Sequence, residues 1–170
     1  MQKIILLSGF GGTGKSTVGT LLYEKLGNLA LFEADHLFNI KPFVIGEKLG
    51  RIKLKNSLAL IQNFLEEGYN NIIAVGLVWT QEELDAVVQK FSKDTQIFLI
   101  WLEAPKEIRF QRVLMRGEPG DTLEFLEEVE QKLPNPWPFK EEKCKIFKIS
   151  VEDKSSNEVG NKIIDILSYS

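Results

Sequence analysis

The chain has 170 residues, 44% of them hydrophobic and 26% charged, and a net charge of −3. That length suits one compact α/β domain, and the composition is ordinary for a soluble globular protein. The acidic balance argues against a general nucleic-acid-binding surface, and the single cysteine, Cys144, excludes an intramolecular disulfide and cysteine-rich metal sites.

Residues 3–7, Lys-Ile-Ile-Leu-Leu, form an apolar run that predicts a short buried parallel strand. The run is too short for a secretory signal or a membrane span, and one cysteine fits a reducing compartment. The expectation is therefore a cytoplasmic protein with no membrane partner. The run leads into Gly9-Phe10-Gly11-Gly12-Thr13-Gly14-Lys15-Ser16, which matches G-x-x-x-x-G-K-[ST] at every fixed position. After it Val18, Leu21, Leu22 and Leu26 recur at helical spacing. Strand, glycine loop and helix in this order suit a phosphate. The glycines let backbone N–H groups turn inward, and the helix N-terminus adds partial positive charge. Lys15 can reach the outer phosphates and the Ser16 hydroxyl can bind Mg²⁺. The candidate nucleotide-binding residues are Gly11, Gly12, Thr13, Gly14, Lys15, Ser16 and Thr17.

Gly27 and Asn28 stop the first helix, and residues 29–32 form a second buried strand. That strand delivers Glu33, Asp35 and His36 to the carboxyl end of the sheet, where ligands of open α/β sheets sit. Residues 39–50 read as loop. Lys41, Lys48, Arg51, Lys53 and Lys55 make this loop and the start of the next helix basic. That helix is expected over about 52–67, with Leu58, Ile61, Phe64 and Leu65 inward. Residues 71–76 are a third strand. Thr80 and Glu83 make a capping box for a helix ending near Phe91. Residues 96–103 are the fourth strand, and Pro105 opens a helix running to about Arg116. A loop over 117–121 follows, and Asp121, with Glu124 at the matching position, caps an acidic helix ending before Pro134. Residues 135–138 make a rigid connection and 145–149 a fifth strand. Ser155 and Glu158 box the last helix, with Val159, Ile163, Ile164 and Leu167 inward.

Five strands alternating with helices imply a parallel sheet covered on both faces; strand order does not follow from spacing. The expectation is one domain over 1–170, with a substrate-binding region at about 36–67 and a short lid at about 116–121.

Three features converge on the glycine loop. Asp35, just past the second strand, is placed to accept a proton from a substrate hydroxyl, unless it merely caps its own turn. Glu33 is a candidate to hold Mg²⁺ through water. Arg109, Arg112 and Arg116, at i, i+3 and i+7, share a helix face, with Phe110, Val113 and Leu114 packing inward. Such a row neutralises charge on a transferring phosphoryl group, or is a solvated face paired with Glu103 or Glu107. Residues 151–156 either contact a nucleotide base or simply connect strand to helix. His36 reads as a polar loop residue. Trp79 and Trp137 line a pocket or fill gaps.

On these residues the chain resembles the small P-loop kinases, the group of shikimate kinase, chloramphenicol phosphotransferase and adenylate-kinase-like enzymes. The resemblance runs from the strand before Gly9 to the last helix. It implies a three-layer α/β/α P-loop nucleoside-triphosphate hydrolase fold, with a five-stranded parallel sheet in the order 2-3-1-4-5. Glu33-Ala34-Asp35 resembles the acidic D-x-D pair whose second acid contacts the acceptor hydroxyl, a role that falls on Asp35. The segment through Arg112-Val113-Leu114-Met115-Arg116 resembles the run into the lid. It implies that Arg112 stacks on adenine and Arg116 touches phosphate. The implied catalytic set is Lys15, Asp35 and Arg116. The implied reaction moves the γ-phosphate of Mg-ATP to a hydroxyl of a small molecule, by a monomer or homodimer. A nucleoside or nucleoside-monophosphate kinase, or a nucleotide-binding regulator with little turnover, are the alternatives. Two features depart from shikimate kinases. Only Gly76 stands where they have a glycine triplet, and the helix over 122–131 carries no arginine. No acid follows the third strand to serve as a further metal ligand.

Overall fold

The strand β1 (Gln2–Ser8) lies at the middle of a five-stranded sheet, with a neighbour on each edge. A computed structural model describes residues 2–118, 122–133 and 135–169. Both faces of β1 are covered, which is why its sequence is an unbroken apolar run rather than an alternating one. Ile4 and Leu6 enter one core, and Ile5 and Leu7 enter the other. The remaining strands are β2 (Leu29–Glu33), β3 (Asn71–Val75), β4 (Thr95–Glu103) and β5 (Cys144–Ser150). All pairs are parallel and the order is β2-β3-β1-β4-β5, the order implied by the resemblance.

Among the described residues six α-helices flank the sheet. The pair α1 (Lys15–Lys25) and α6 (Ser156–Ser168) cover one face, through Val18 and Leu22 of α1 and Val159, Ile163 and Leu167 of α6. On the other face lie α2 (Glu47–Glu66) and α3 (Gln81–Phe91), through Ile61 of α2 and Leu84, Val87, Val88 and Phe91 of α3. The short α4 (Lys106–Leu114) and α5 (Leu123–Lys132) pack on each other through Phe110, Val113 and Leu126. Among the described residues no helix is long and apolar enough to cross a membrane.

Both capping boxes form, with Thr80 and Glu83 starting α3 and Ser155 and Glu158 starting α6. Three local expectations are corrected. The helix expected from about residue 52 begins at Glu47, because Gly46 precedes it with no side-chain cap and so leaves no start signal. Asp121 lies outside the described residues, and Thr122 caps α5 by accepting a bond from the Phe125 amide at 3.2 Å. Leu114, expected inward, is 41% exposed at the last turn of α4.

Candidate functional site

Between β1 and α1 the chain folds back across the carboxyl edge of the sheet. Gly9 has φ of 132° and Gly12 φ of 80°, backbone that side chains rarely adopt. A Cβ at Gly9 would stand 2.3 Å from the Leu102 carbonyl oxygen, and one at Gly12 would stand 2.3 Å from that of Arg109. The loop is therefore pressed against the end of β4 and against α4. Thr13 is buried, and its hydroxyl donates to the Phe10 carbonyl at 2.8 Å. The Lys15 ammonium donates to the carbonyls of Gly9 at 2.8 Å and Phe10 at 2.9 Å. Burial in this hollow lowers its pKa from 10.5 to about 8. Among its charged neighbours Asp35 acts most strongly and holds the value up, as Glu33 does, while Arg116 and Arg109 push it down. Ser16 and Thr17 are exposed on the first turn of α1, and Gly11 is exposed on the loop.

Asp35 lies in a single 3₁₀ turn, Ala34–His36, directly after β2. No side chain caps that turn. The Asp35 side chain is directed toward Gly76, where its Oδ2 would be 3.5 Å from an added Cβ. The Gly76 carbonyl accepts from the Lys53 ammonium at 3.1 Å, and that ammonium faces Glu83 Oε1 at 4.0 Å. Glu83 also closes the α3 capping box, accepting from the amides of Trp79 at 2.6 Å and Thr80 at 3.0 Å. Sequence reading found Lys53 only as part of a basic stretch and Glu83 only as a cap. Their pairing across α2 and α3 had no local signal.

The arginine row does not act as one face. Arg109 is 5% exposed and turned inward. Its Nε donates to the Ala104 carbonyl at 3.1 Å, and its Nη1 donates to Gly11 at 3.4 Å and to Glu130 Oε1 at 2.7 Å. Its guanidinium lies 4.5 Å from the centroid of the Phe10 ring. Arg109 is thus a strut under the loop, held by a partner 21 residues away. Glu103, offered as a partner for the row, pairs instead with Lys148 at 2.8 Å. Arg112 donates to the carbonyls of Val151 at 3.2 Å and Glu152 at 3.3 Å. Arg116 is exposed, beside Arg112, on the wall of a cavity of about 290 Å³. The cavity is completed by Gly12, Thr13, Gly14 and Thr17 on one side and by Val151, Lys154, Ser155 and Ser156 on the other. Of the lid expected at about 116–121, residues 119–121 lie outside the described residues.

Trp79 and Trp137 are half-buried in an aromatic group centred on Trp101. Phe10 meets Trp79 edge-on at 4.7 Å, so this group supports the loop from below. His36 is exposed next to Asp35. Among the described residues no group of three or more His, Cys, Asp or Glu could hold a metal ion. The donor set at the loop fits an ion that brings ligands with it. Mg²⁺ bound to nucleotide phosphates would take the Ser16 hydroxyl, and Glu33 or Asp35 through water.

A glycine loop between the central strand and its helix, in a parallel sheet of order 2-3-1-4-5, defines the P-loop nucleotide-binding fold. Residues 5–133 match the family described as AAA domain, and the chain belongs to that family. Over 129 residues it is 32% identical to the UPF0200 protein of Sulfurisphaera tokodaii, covering 71% of this chain and 70% of that protein. Its structure is similar to that of a sugar kinase from a Janibacter species, with a TM-score of 0.77 and 13% identity over 99% of this chain and 95% of that one. It is also similar to shikimate kinase from Acinetobacter baumannii, with a TM-score of 0.64 and 20% identity over 99% and 94% of the two chains. The fold is that of the small P-loop kinases.

Proposed function

We propose that the protein is a kinase that moves the γ-phosphoryl group of Mg-ATP to a hydroxyl of a small molecule. The observation that carries this reading is the setting of Lys15. Its ammonium is desolvated in the loop hollow, and the acid acting most strongly on it is Asp35, across the carboxyl edge of the sheet. An acid at that place can take the proton of an acceptor hydroxyl, which is the role that transfer adds to nucleotide binding.

In this reading the loop amides and Lys15 hold the phosphates, and the base lies in the 290 Å³ cavity against Arg112. Bound Mg²⁺ supplies charge neutralisation and holds the phosphate oxygens in place. Asp35 orients the acceptor hydroxyl. The acceptor's hydroxyl oxygen bonds to the γ-phosphorus as the bond from phosphorus to the bridging oxygen breaks. ADP leaves with that electron pair, and the hydroxyl proton passes to Asp35. Arg116 stabilises charge spread over the phosphoryl oxygens. The similarity of the fold to that of a sugar kinase and of shikimate kinase supports a hydroxyl acceptor.

The test is calorimetric titration with Mg-ATP, followed by ADP release with and without a panel of hydroxyl acceptors. Wild type should bind Mg-ATP, Lys15→Ala should lose that binding, and an acceptor should raise ADP release. Equal binding by wild type and Lys15→Ala would remove the phosphate-loop assignment.

A further inference from the structure

The acceptor side of the crevice carries a feature that the kinase reading does not use. A cavity of about 520 Å³ lies between the segment over residues 39–46 and the first two turns of α2. Its lining includes apolar Ile40, Val44, Leu49 and Ile52 together with Lys41 and Lys48. That volume falls in the range of small-molecule sites, which are mostly apolar with a few charged groups. Val44 is 63% exposed and the adjoining Phe43 57%, so large apolar groups stand open in the free protein.

The charge here opposes that of the whole chain. Residues 41–55 hold five basic residues and one acid, in a protein of net charge −3. Arg51 is paired with that acid, Glu47, at 3.3 Å, and Lys53 is turned to Glu83 and the Gly76 carbonyl. Lys41 and Lys48 hold no ion pair among the described residues. The apolar lining and these two cations share one hollow with Glu47, whose carboxylate is taken up by Arg51.

The hollow is linked to the candidate acid through α2. Ile52, on its wall, is next in sequence to Lys53, whose ammonium bonds the Gly76 carbonyl, and the Asp35 carboxylate is directed at Gly76. The Asn56 amide donates to the Leu37 carbonyl at 2.9 Å and clamps the exit of the Asp35 turn onto α2. Leu49 and Ile52 on the wall of the hollow thus share a face of α2 with Lys53 and Asn56, which reach Gly76 and the exit of the Asp35 turn.

We propose that the phosphoryl acceptor is a small hydroxyl compound with an apolar body and an anionic group, seated in this groove. This rests on the kinase reading and specifies the acceptor. The apolar body covers Val44, Leu49 and Ile52, the anion lies between Lys41 and Lys48, and the hydroxyl points to Asp35. A polyhydroxylated sugar, with no apolar surface to bury, fits this lining poorly.

The experiment uses 8-hydroxyoctanoate as probe, against 1,8-octanediol, which lacks the anion, and gluconate, which lacks the apolar body. Binding is measured by calorimetry in the presence of Mg-ADP, and turnover by ADP release from Mg-ATP. The hydroxy acid should bind at least about tenfold more tightly than either control. Lys48→Glu and Val44→Asp, both at exposed positions, should each weaken it about tenfold and raise KM rather than lower kcat. Equal binding of the diol overturns the anionic group, and equal binding of gluconate overturns the apolar body. Unchanged binding in both variants, or no binding of the acid at all, overturns the groove. Poly-glutamate binding the groove more tightly than the hydroxy acid would make it a macromolecular surface and overturn the small acceptor. Mg-ATP titration on the same wild-type sample separates the two readings. Loss of nucleotide binding there defeats the kinase reading, whereas normal nucleotide binding with a groove failure defeats only this one.

Discussion

Arg109 of α4 and Glu130 of α5 meet at 2.7 Å with both side chains mostly buried, directly behind the glycine loop. The pair joins the two short helices to the backbone that would hold a phosphate. Removing the acid leaves a buried guanidinium with only carbonyl partners. Glu130→Ala should therefore lower stability by about 3 kcal/mol, the usual scale for breaking a buried pair from one side. Urea denaturation measures it. A loss below about 1 kcal/mol would mean that water reaches Arg109 and the strut is weak.

Glycine positions in the loop should differ sharply in what they tolerate. Gly12→Ala forces a Cβ to within 2.3 Å of the Arg109 carbonyl oxygen at a φ of 80°. The conformation alone costs roughly 1–2 kcal/mol and the clash adds to it, because backbone cannot step aside. At Gly11 an added Cβ meets nothing within 4 Å. Gly11→Ala should stay within about 1 kcal/mol of wild type. Thermal unfolding of the two variants compares them, and equal losses would contradict the packing described.

The lowered pKa of Lys15 sets a pH dependence whose sign is fixed. In the unfolded chain Lys15 keeps its proton to about 10.5, and in the fold only to about 8. Between those values the unfolded state binds more protons, so this group makes stability rise with pH. Below pH 8 both states are charged and the cost of burying the charge is present in full. Lys15→Met should be more stable than wild type at pH 7, and the difference should shrink as pH rises from 8 to 10. Denaturation at pH 7 and 9.5 checks this. A difference that grows with pH would reverse the sign.

Three substitutions separate the proposed roles around the crevice. Asp35→Asn should keep Mg-ATP affinity and lower transfer by roughly 10²-fold, the scale of lost general-base help. Arg116→Ala should lower the rate by roughly 10³-fold or more with little change in affinity. Arg112→Ala should weaken nucleotide binding, since Arg112 walls the cavity and ties down the carbonyls of Val151 and Glu152. Stopped-flow binding and steady-state rates on each variant decide it, and a reversed pattern for the two arginines would exchange their roles.

Much of this arrangement was readable from local pattern. The strands β1, β3 and β4 declared themselves as apolar runs because each is buried on both faces, and the loop declared itself because its glycines and lysine are adjacent in sequence. Thr80 with Glu83, and Ser155 with Glu158, were readable because a capping box closes within four residues. The unread parts depend on distant partners. Helical spacing put Arg109 in line with Arg112 and Arg116, but Glu130 and the Gly11 carbonyl draw it inward, and spacing carries no trace of either. The start of α2 was missed because an extended Gly46 caps nothing. Lys53 looked like one more surface cation until α2 set it against Gly76 and Glu83.

The central position of β1 has a consequence for the order of events on the ribosome. The strand β1 is made before both of the strands it pairs with, β3 on one edge and β4 on the other. The glycine loop after it takes its shape against Leu102 and Arg109, made roughly a hundred residues later. Long-range pairing of this kind cannot form until the later segment has emerged. The strand β1 and the glycine loop are thus translated well before the segments that give them their working shape. A nascent chain halted before α4 would display the glycine loop sequence without the grip for which it is arranged.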